Sequence, residues 1–170
     1  MSDIRLVLGG ARSGKSRFAE ALVSEPVGLR RVYVATAQAF DEEMEQRIAT
    51  HRAQRGDGWL TVEAPHDLAD ALLRFAVPGN AVLVDCLTLW LSNRLLAEAD
   101  LEADAAGLVA VLGRVRAPVV LVANEVGLSI VPDNALARRF RDAAGRLNQM
   151  IAAIADQAYF VVAGLSQRLK

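Results

Sequence analysis

The segment Gly9-Gly10-Ala11-Arg12-Ser13-Gly14-Lys15-Ser16 fits the pattern G-x-x-x-x-G-K-[ST]. These residue types at this spacing hold the phosphates of a nucleotide. Glycines let the backbone wrap closely around phosphate oxygens, and amides at a helix start point at the anion. Lys15 can reach the β- and γ-phosphates, and the Ser16 hydroxyl can bind Mg²⁺. The chemistry requires a strand before the loop and a helix after it. Both are present as sequence patterns, an apolar run Ile4–Leu8 and a helical stretch Lys15–Ser24. The bland alternative is a glycine turn that carries a lysine by chance. Against it stand the agreement of motif and context and the scarcity of lysine, since only Lys170 accompanies Lys15 beside 17 arginines.

A phosphate loop of this kind needs a carboxylate for its metal. Ala81-Val82-Leu83-Val84-Asp85 is a hydrophobic strand ending in an acid, and strand carboxyl ends border the ligand crevice of open α/β sheets. Asp85 is therefore the candidate to hold Mg²⁺, directly or through water; its alternative role is to cap the helix beginning at Cys86. Cys86 itself reads as a small buried hydrophobe. A second constellation lies in Asp41–Arg55, acidic at its start and basic at its end, as a helix dipole favours. His51 stands there among Arg47, Arg52 and Arg55. Such a field disfavours the charged imidazole and stabilises an attacked phosphoryl group, and an imidazole nitrogen can be the nucleophile. Spacing alone favours a surface helix histidine. His66, in Ala64-Pro65-His66-Asp67, reads as a helix entry.

The elements that must position these groups alternate along the chain. Apolar runs at Ile4–Leu8, Val32–Ala35, Leu60–Val62, Ala81–Val84, Val119–Ala123 and Tyr159–Ala163 read as strands, several apolar on both faces. Between them lie helical patterns at Lys15–Ser24, Asp41–Arg55, Asp67–Phe75, a pair within Thr88–Val115, and Asn134–Ala155. This order predicts an α/β fold of the P-loop NTPase type, with a mostly parallel central sheet and helices on both faces. The run Trp59–Glu63 alternates and reads as an edge strand. Asn124 and Glu125 close a strand at the same sheet edge as Asp85, and Glu125 can position a metal or a substrate hydroxyl or simply be an exposed strand end. A loop over Gly127–Asp133 then enters a helix capped by Asp133 or Asn134. Arg138, Arg139, Arg141 and Arg146 on that helix suit phosphate, a neighbouring subunit or solvent.

Composition bounds the rest. The 170 residues carry 19 basic and 20 acidic side chains, for a formal charge of −1. That length predicts a single domain spanning 1–170, and the balance argues against nucleic acid as partner. One cysteine forms no internal disulfide, no apolar run approaches a membrane span, and the start lacks a signal-peptide layout. The expectation is a cytoplasmic enzyme. A regulatory GTPase would need an N-K-x-D loop, but Asn124-Glu125-Val126-Gly127 has Glu where Lys belongs.

Several strings together resemble one family. They are G-G-A-R-S-G-K-S at Gly9–Ser16, Y-V-A-T-A-Q at Tyr33–Gln38, and D-E-E-M-x-x-R-I-x-x-H-R at Asp41–Arg52. V-D-C-L-T at Val84–Thr88, V-L-V-A-N-E-V-G at Val120–Gly127 and the block Ile130–Gln149 continue it. The chain resembles the bifunctional adenosylcobinamide kinase / adenosylcobinamide-phosphate guanylyltransferase of cobalamin biosynthesis (the CobU/CobP type), from its first strand to its last residues. The glycine loop is widely shared, whereas the His51 helix and the Asn124–Gln149 block are specific.

The resemblance implies two reactions. ATP or GTP phosphorylates adenosylcobinamide, and GMP from GTP then passes to adenosylcobinamide phosphate through a guanylyl-histidine, releasing pyrophosphate. It places the histidine on His51, with Lys15 as the second catalytic residue. It places nucleotide contacts on Gly9–Ser16, on Thr36, Ala37 and Gln38, on Arg52, Ala53, Gln54 and Arg55, and on Glu63 and Asp85. Ser16 and Asp85 are the implied Mg²⁺ ligands, and a homotrimer is the implied assembly. A carboxylate at Glu63 suits the guanine N1–H and amino group; on its own it could equally be a solvated strand end. Position 85 is Asp where relatives often carry the longer Glu. The rival expectations are a monofunctional small-molecule kinase and a nucleotide-dependent binding switch.

Overall fold

The protein is described by a computed structural model covering residues 3–38, 42–55 and 58–170. The chain runs β1 (Asp3–Gly9), α1 (Lys15–Ser24), β2 (Arg30–Ala35), α2 (Glu42–Arg55), β3 (Trp59–Glu63), α3 (Leu68–Phe75) and β4 (Asn80–Asp85). It continues with α4 (Leu87–Leu96), α5 (Leu101–Leu112), β5 (Pro118–Asn124), α6 (Ala135–Ile154), β6 (Gln157–Val162) and β7 (Leu165–Arg168). Seven strands form one sheet in the order β3-β2-β4-β5-β1-β6-β7. Every pairing is parallel except β6 with β7. The edge position expected for Trp59–Glu63 is found.

Strand alternation divides the core into two layers. Leu6, Val32, Val34, Val82, Val84, Val119 and Leu121 pack with α3 to α6 on one face. Val7, Tyr33, Leu83, Val120 and Val122 pack with Ala19, Leu22 and Val23 of α1 on the other. The central strands are buried on both faces, which is why their sequences are almost continuously apolar.

The sheet extends further than the sequence pattern indicated. The sixth strand stops at Val162, one residue short of the expected end. Ala163 and Gly164 have φ of 53° and 76°, and two successive positive φ values make the tight turn that matches strand twist. That turn launches β7, which sequence reading missed because Leu165–Arg168 is exposed throughout and buries no alternating face. The pair expected within Thr88–Val115 separates at 97–100, where Asp100 accepts from the amides of Glu102 and Ala103 at 3.1 Å. Among the described residues, no helix is long and apolar enough to cross a membrane.

Candidate functional site

A cleft of about 600 Å³ opens at the carboxyl ends of the strands, on the sheet face that carries α1. The glycine loop forms one wall. Gly14 adopts φ 92°, and Phe18 N donates to its carbonyl at 3.1 Å, so the loop turns directly into α1. Gly164 N donates to Ser13 O at 2.8 Å, and Glu125 N donates to Gly9 O at 3.0 Å. The loop is thus fastened both to the β6–β7 turn and to the end of β5. Lys15 Nζ donates to Gly10 O at 3.0 Å, which folds the ammonium back over its own loop. Ala11, Arg12, Lys15 and Ser16 line the cleft.

The floor is set by register. Ala35 pairs with Glu63 on one side and with Asp85 on the other. In-register neighbours of a parallel sheet project to the same face, so Glu63 and Asp85 stand about 10 Å apart across two strand spacings. Ala35 between them is small and leaves the floor open. Tyr33 and Thr61, one pleat earlier, extend the cleft down the face of β2 and β3, and Ile48 of α2 forms its far wall. His51 lies three residues beyond Ile48 in that helix. The side chains of His51, Arg52, Gln54 and Arg55 lie outside the described residues; Ala53 is exposed on the helix.

Strand order decides what lies between the loop and Asp85. β5 separates β1 from β4, so Asn124 and Glu125 sit between the phosphate loop and the acid, and both line the cleft. Glu125 Oε1 accepts from Gly127 N at 2.7 Å, which shapes the turn leaving the strand. Ser16 and Asp85 offer hard oxygen donors of the kind Mg²⁺ prefers. Among the described residues, no group of three or more His, Cys, Asp or Glu could hold a metal.

Several of the expected residues have structural partners of their own. Thr36 continues the parity of Val32 and Val34, away from the cleft, and is fully buried. Its hydroxyl donates to Cys86 O at 2.7 Å and accepts from Cys86 N at 2.8 Å. It therefore clamps β2 to β4, whereas Ala37, one residue on, lines the cleft. Gln38 Nε2 lies 3.3 Å from His66 Nε2, outside the lining. Gly9, Gly10, Ser13 and Gly14 shape the loop around the lining residues Ala11, Arg12, Lys15 and Ser16. A Cβ on Gly9 would lie 2.5 Å from Ser13 Oγ and 2.6 Å from Val161 O. The helix cap is Cys86, whose sulfur accepts from Leu89 N at 3.4 Å, and not Asp85. Cys86 is buried as expected; burial first, and then the neighbouring Asp85 charge, push its thiol up to about 11. Asn134 caps α6 by accepting from Ala137 N at 2.8 Å.

The cobinamide kinase / cobinamide phosphate guanyltransferase family profile matches residues 5–169. The chain is 50% identical over 167 residues to the bifunctional adenosylcobalamin biosynthesis protein CobP of Pseudomonas aeruginosa, spanning 97% of this chain and 96% of that one. It is 41% identical over 180 residues to the bifunctional adenosylcobalamin biosynthesis protein CobU of Salmonella typhimurium and to that of Escherichia coli, spanning 97% of this chain and 98% of each. Among solved structures, the flagellar accessory protein FlaH of Methanocaldococcus jannaschii superposes with a TM-score of 0.55, over 99% of this chain and 78% of that one. At 14% identity that likeness concerns the fold alone.

Proposed function

The chain belongs to the cobinamide kinase / cobinamide phosphate guanyltransferase family, and from that premise we propose how one cleft serves both reactions of this bifunctional enzyme of cobalamin biosynthesis. The observation that carries the reading is the composition of the cleft. Lys15, Ser16 and Asp85 stand at one end, and Glu63 and Ile48, a turn before His51, stand at the other.

In the kinase step, ATP or GTP lies with its phosphates along the glycine loop. Lys15 swings from Gly10 O to the β- and γ-oxygens, and its charge offsets the negative charge of the transferring group. Bound Mg²⁺, held by Ser16 and Asp85, would neutralise phosphate charge. Glu125 orients the hydroxyl of adenosylcobinamide toward the terminal phosphorus and takes its proton; the new P–O bond forms as the β–γ anhydride bond breaks and the nucleoside diphosphate leaves. In the second step, His51 attacks the α-phosphorus of GTP. A P–N bond forms, the α–β anhydride bond breaks, and pyrophosphate leaves. A phosphate oxygen of adenosylcobinamide phosphate then attacks that phosphorus, the P–N bond breaks, and adenosylcobinamide-GDP departs with the imidazole restored. Arg52 and Arg55 stabilise the phosphoryl charge, and Glu63 accepts from the guanine N1–H and amino group.

The test uses GTP labelled at the α-phosphate. The denatured wild-type protein should retain acid-labile, base-stable label, and His51→Ala should retain none. Unlabelled wild type, or full label on His51→Ala, refutes the histidine intermediate. The reading includes a cytoplasmic homotrimer, which the mass in solution tests. Leu128, Ile130 and Val131 are exposed in the segment that carries the cleft residue Ser129 and support burial against a further molecule.

A further inference from the structure

Helix α4 packs mainly on the sheet face opposite the cleft through Leu87, Trp90, Leu91 and Leu95, while its Leu89 lines the cleft, and its polar side chains reach the strand ends that form it. Thr88 Oγ1 accepts from Asn124 N at 2.7 Å, and Trp90 Nε1 donates to His66 O at 2.9 Å. Asn93 is only 6% exposed. Its Nδ2 donates to Thr36 O at 2.8 Å and to Pro65 O at 2.9 Å. One amide nitrogen therefore bridges the connector after β2 and the connector after β3. Thr36 directly precedes Ala37, and Pro65 lies two residues beyond Glu63, so both bridged segments carry a cleft residue. Asparagine suits the task because its amide offers two hydrogens in one plane on a short stem. The phosphate end of the cleft is fastened separately, through Gly164 to Ser13 and Glu125 to Gly9, and Asn93 touches none of those groups.

We infer that Asn93 is a positioning residue for nucleotide base recognition, setting the gap between Ala37 and Glu63 in which the base of GTP sits. The inference rests on the reading of Glu63 as the guanine acceptor. It has a consequence that general destabilisation lacks, because it separates the two ends of a single ligand. Asn93→Leu keeps a similar size and removes both donors. Its affinity for GTP should fall about tenfold, while affinity for inorganic tripolyphosphate, which needs only the glycine loop, stays within about twofold. Asn93→Asp covers the case in which the leucine variant does not fold. There an ionised carboxylate faces two carbonyl oxygens, so GTP binding should recover as pH is lowered and the protonated carboxyl donates. Wild type should lack that pH dependence.

Equal loss of GTP and tripolyphosphate affinity, or unchanged GTP affinity, overturns the inference. Glu63→Gln separates the two layers of the argument. If it weakens GTP binding and the Asn93 variants do not, the role of Asn93 alone is refuted. If neither position affects GTP, the base-reading role of Glu63 falls as well.

Discussion

Thr36→Val removes a hydroxyl without changing the size of the side chain. The hydroxyl is fully buried and makes two hydrogen bonds of 2.7 and 2.8 Å to the backbone of Cys86. Valine can make neither, and Cys86 is itself 4% exposed, so water does not readily replace them. Cys86 O still accepts from Trp90 N at 3.2 Å, so Cys86 N is the buried group left without its partner, and the expected loss is about 1–3 kcal/mol. No cavity term adds to this, because valine fills the same space. Against a stability of roughly 5–15 kcal/mol the loss is appreciable, and for a chain of this size it lowers Tm by about 2–12 °C. Urea unfolding measures the first quantity and calorimetry the second. Thr36→Ser keeps the hydroxyl and should lose no more than about 1–2 kcal/mol for the missing methyl. The same clamp predicts that the Thr36 hydroxyl does not touch the nucleotide. At a temperature where Thr36→Val is fully folded, its tripolyphosphate affinity should match wild type within about twofold. A valine variant as stable as wild type but impaired in phosphate binding would refute the reasoning, since it would place the hydroxyl on the ligand.

Other outcomes follow from the same contacts. Gly9→Ala drives a methyl into Ser13 Oγ and Val161 O, so urea unfolding should show a loss of about 1–3 kcal/mol. Nothing lies within 4 Å of a Cβ on Gly10, so Gly10→Ala should fold normally, and a selective fall in triphosphate affinity would place the ligand in that space. Lys15→Ala should reduce the kinase rate by about 10²–10³-fold with little change in unfolding midpoint. The Cys86 thiol sits above its ordinary value, at about 11 against 9.0. The unfolded chain therefore releases that proton first, and stability should fall as pH rises from about 9 to about 11. Cys86→Ala should lose this alkaline dependence in pH-resolved unfolding.

Much of the site was legible because its chemistry is local. The glycine loop is contiguous, its strand and helix flank it directly, and an apolar strand ending in Asp85 is visible as a string. The strands buried on both faces stood out as apolar runs for the same reason. Thr36 shows the limit. Its neighbours in sequence belong to the cleft, but side-chain parity along β2 sends it to the other face. That parity was readable from Val32 and Val34, and it outweighs proximity in the chain. Tyr33 and Thr61 were missed because a strand residue that lines a cleft looks like one that fills a core. β7 was missed because it buries nothing.

The amino-acid sequence alone determined the nucleotide chemistry, the order of elements and the family, since each depends on residues close together or on strings that stand unbroken. The tertiary structure decided which of those residues meet. It inserted β5 between the glycine loop and Asp85, and so placed Glu125 between them. It set Glu63 and Asp85 on one face with only Ala35 between them. It also gave Thr36 to Cys86 and made Asn93, on the far side of the sheet, a tie between two cleft connectors. Strand order and register are agreements among segments far apart in the chain, made by the sheet's hydrogen bonds and the packing of its two faces. No single segment carries that information.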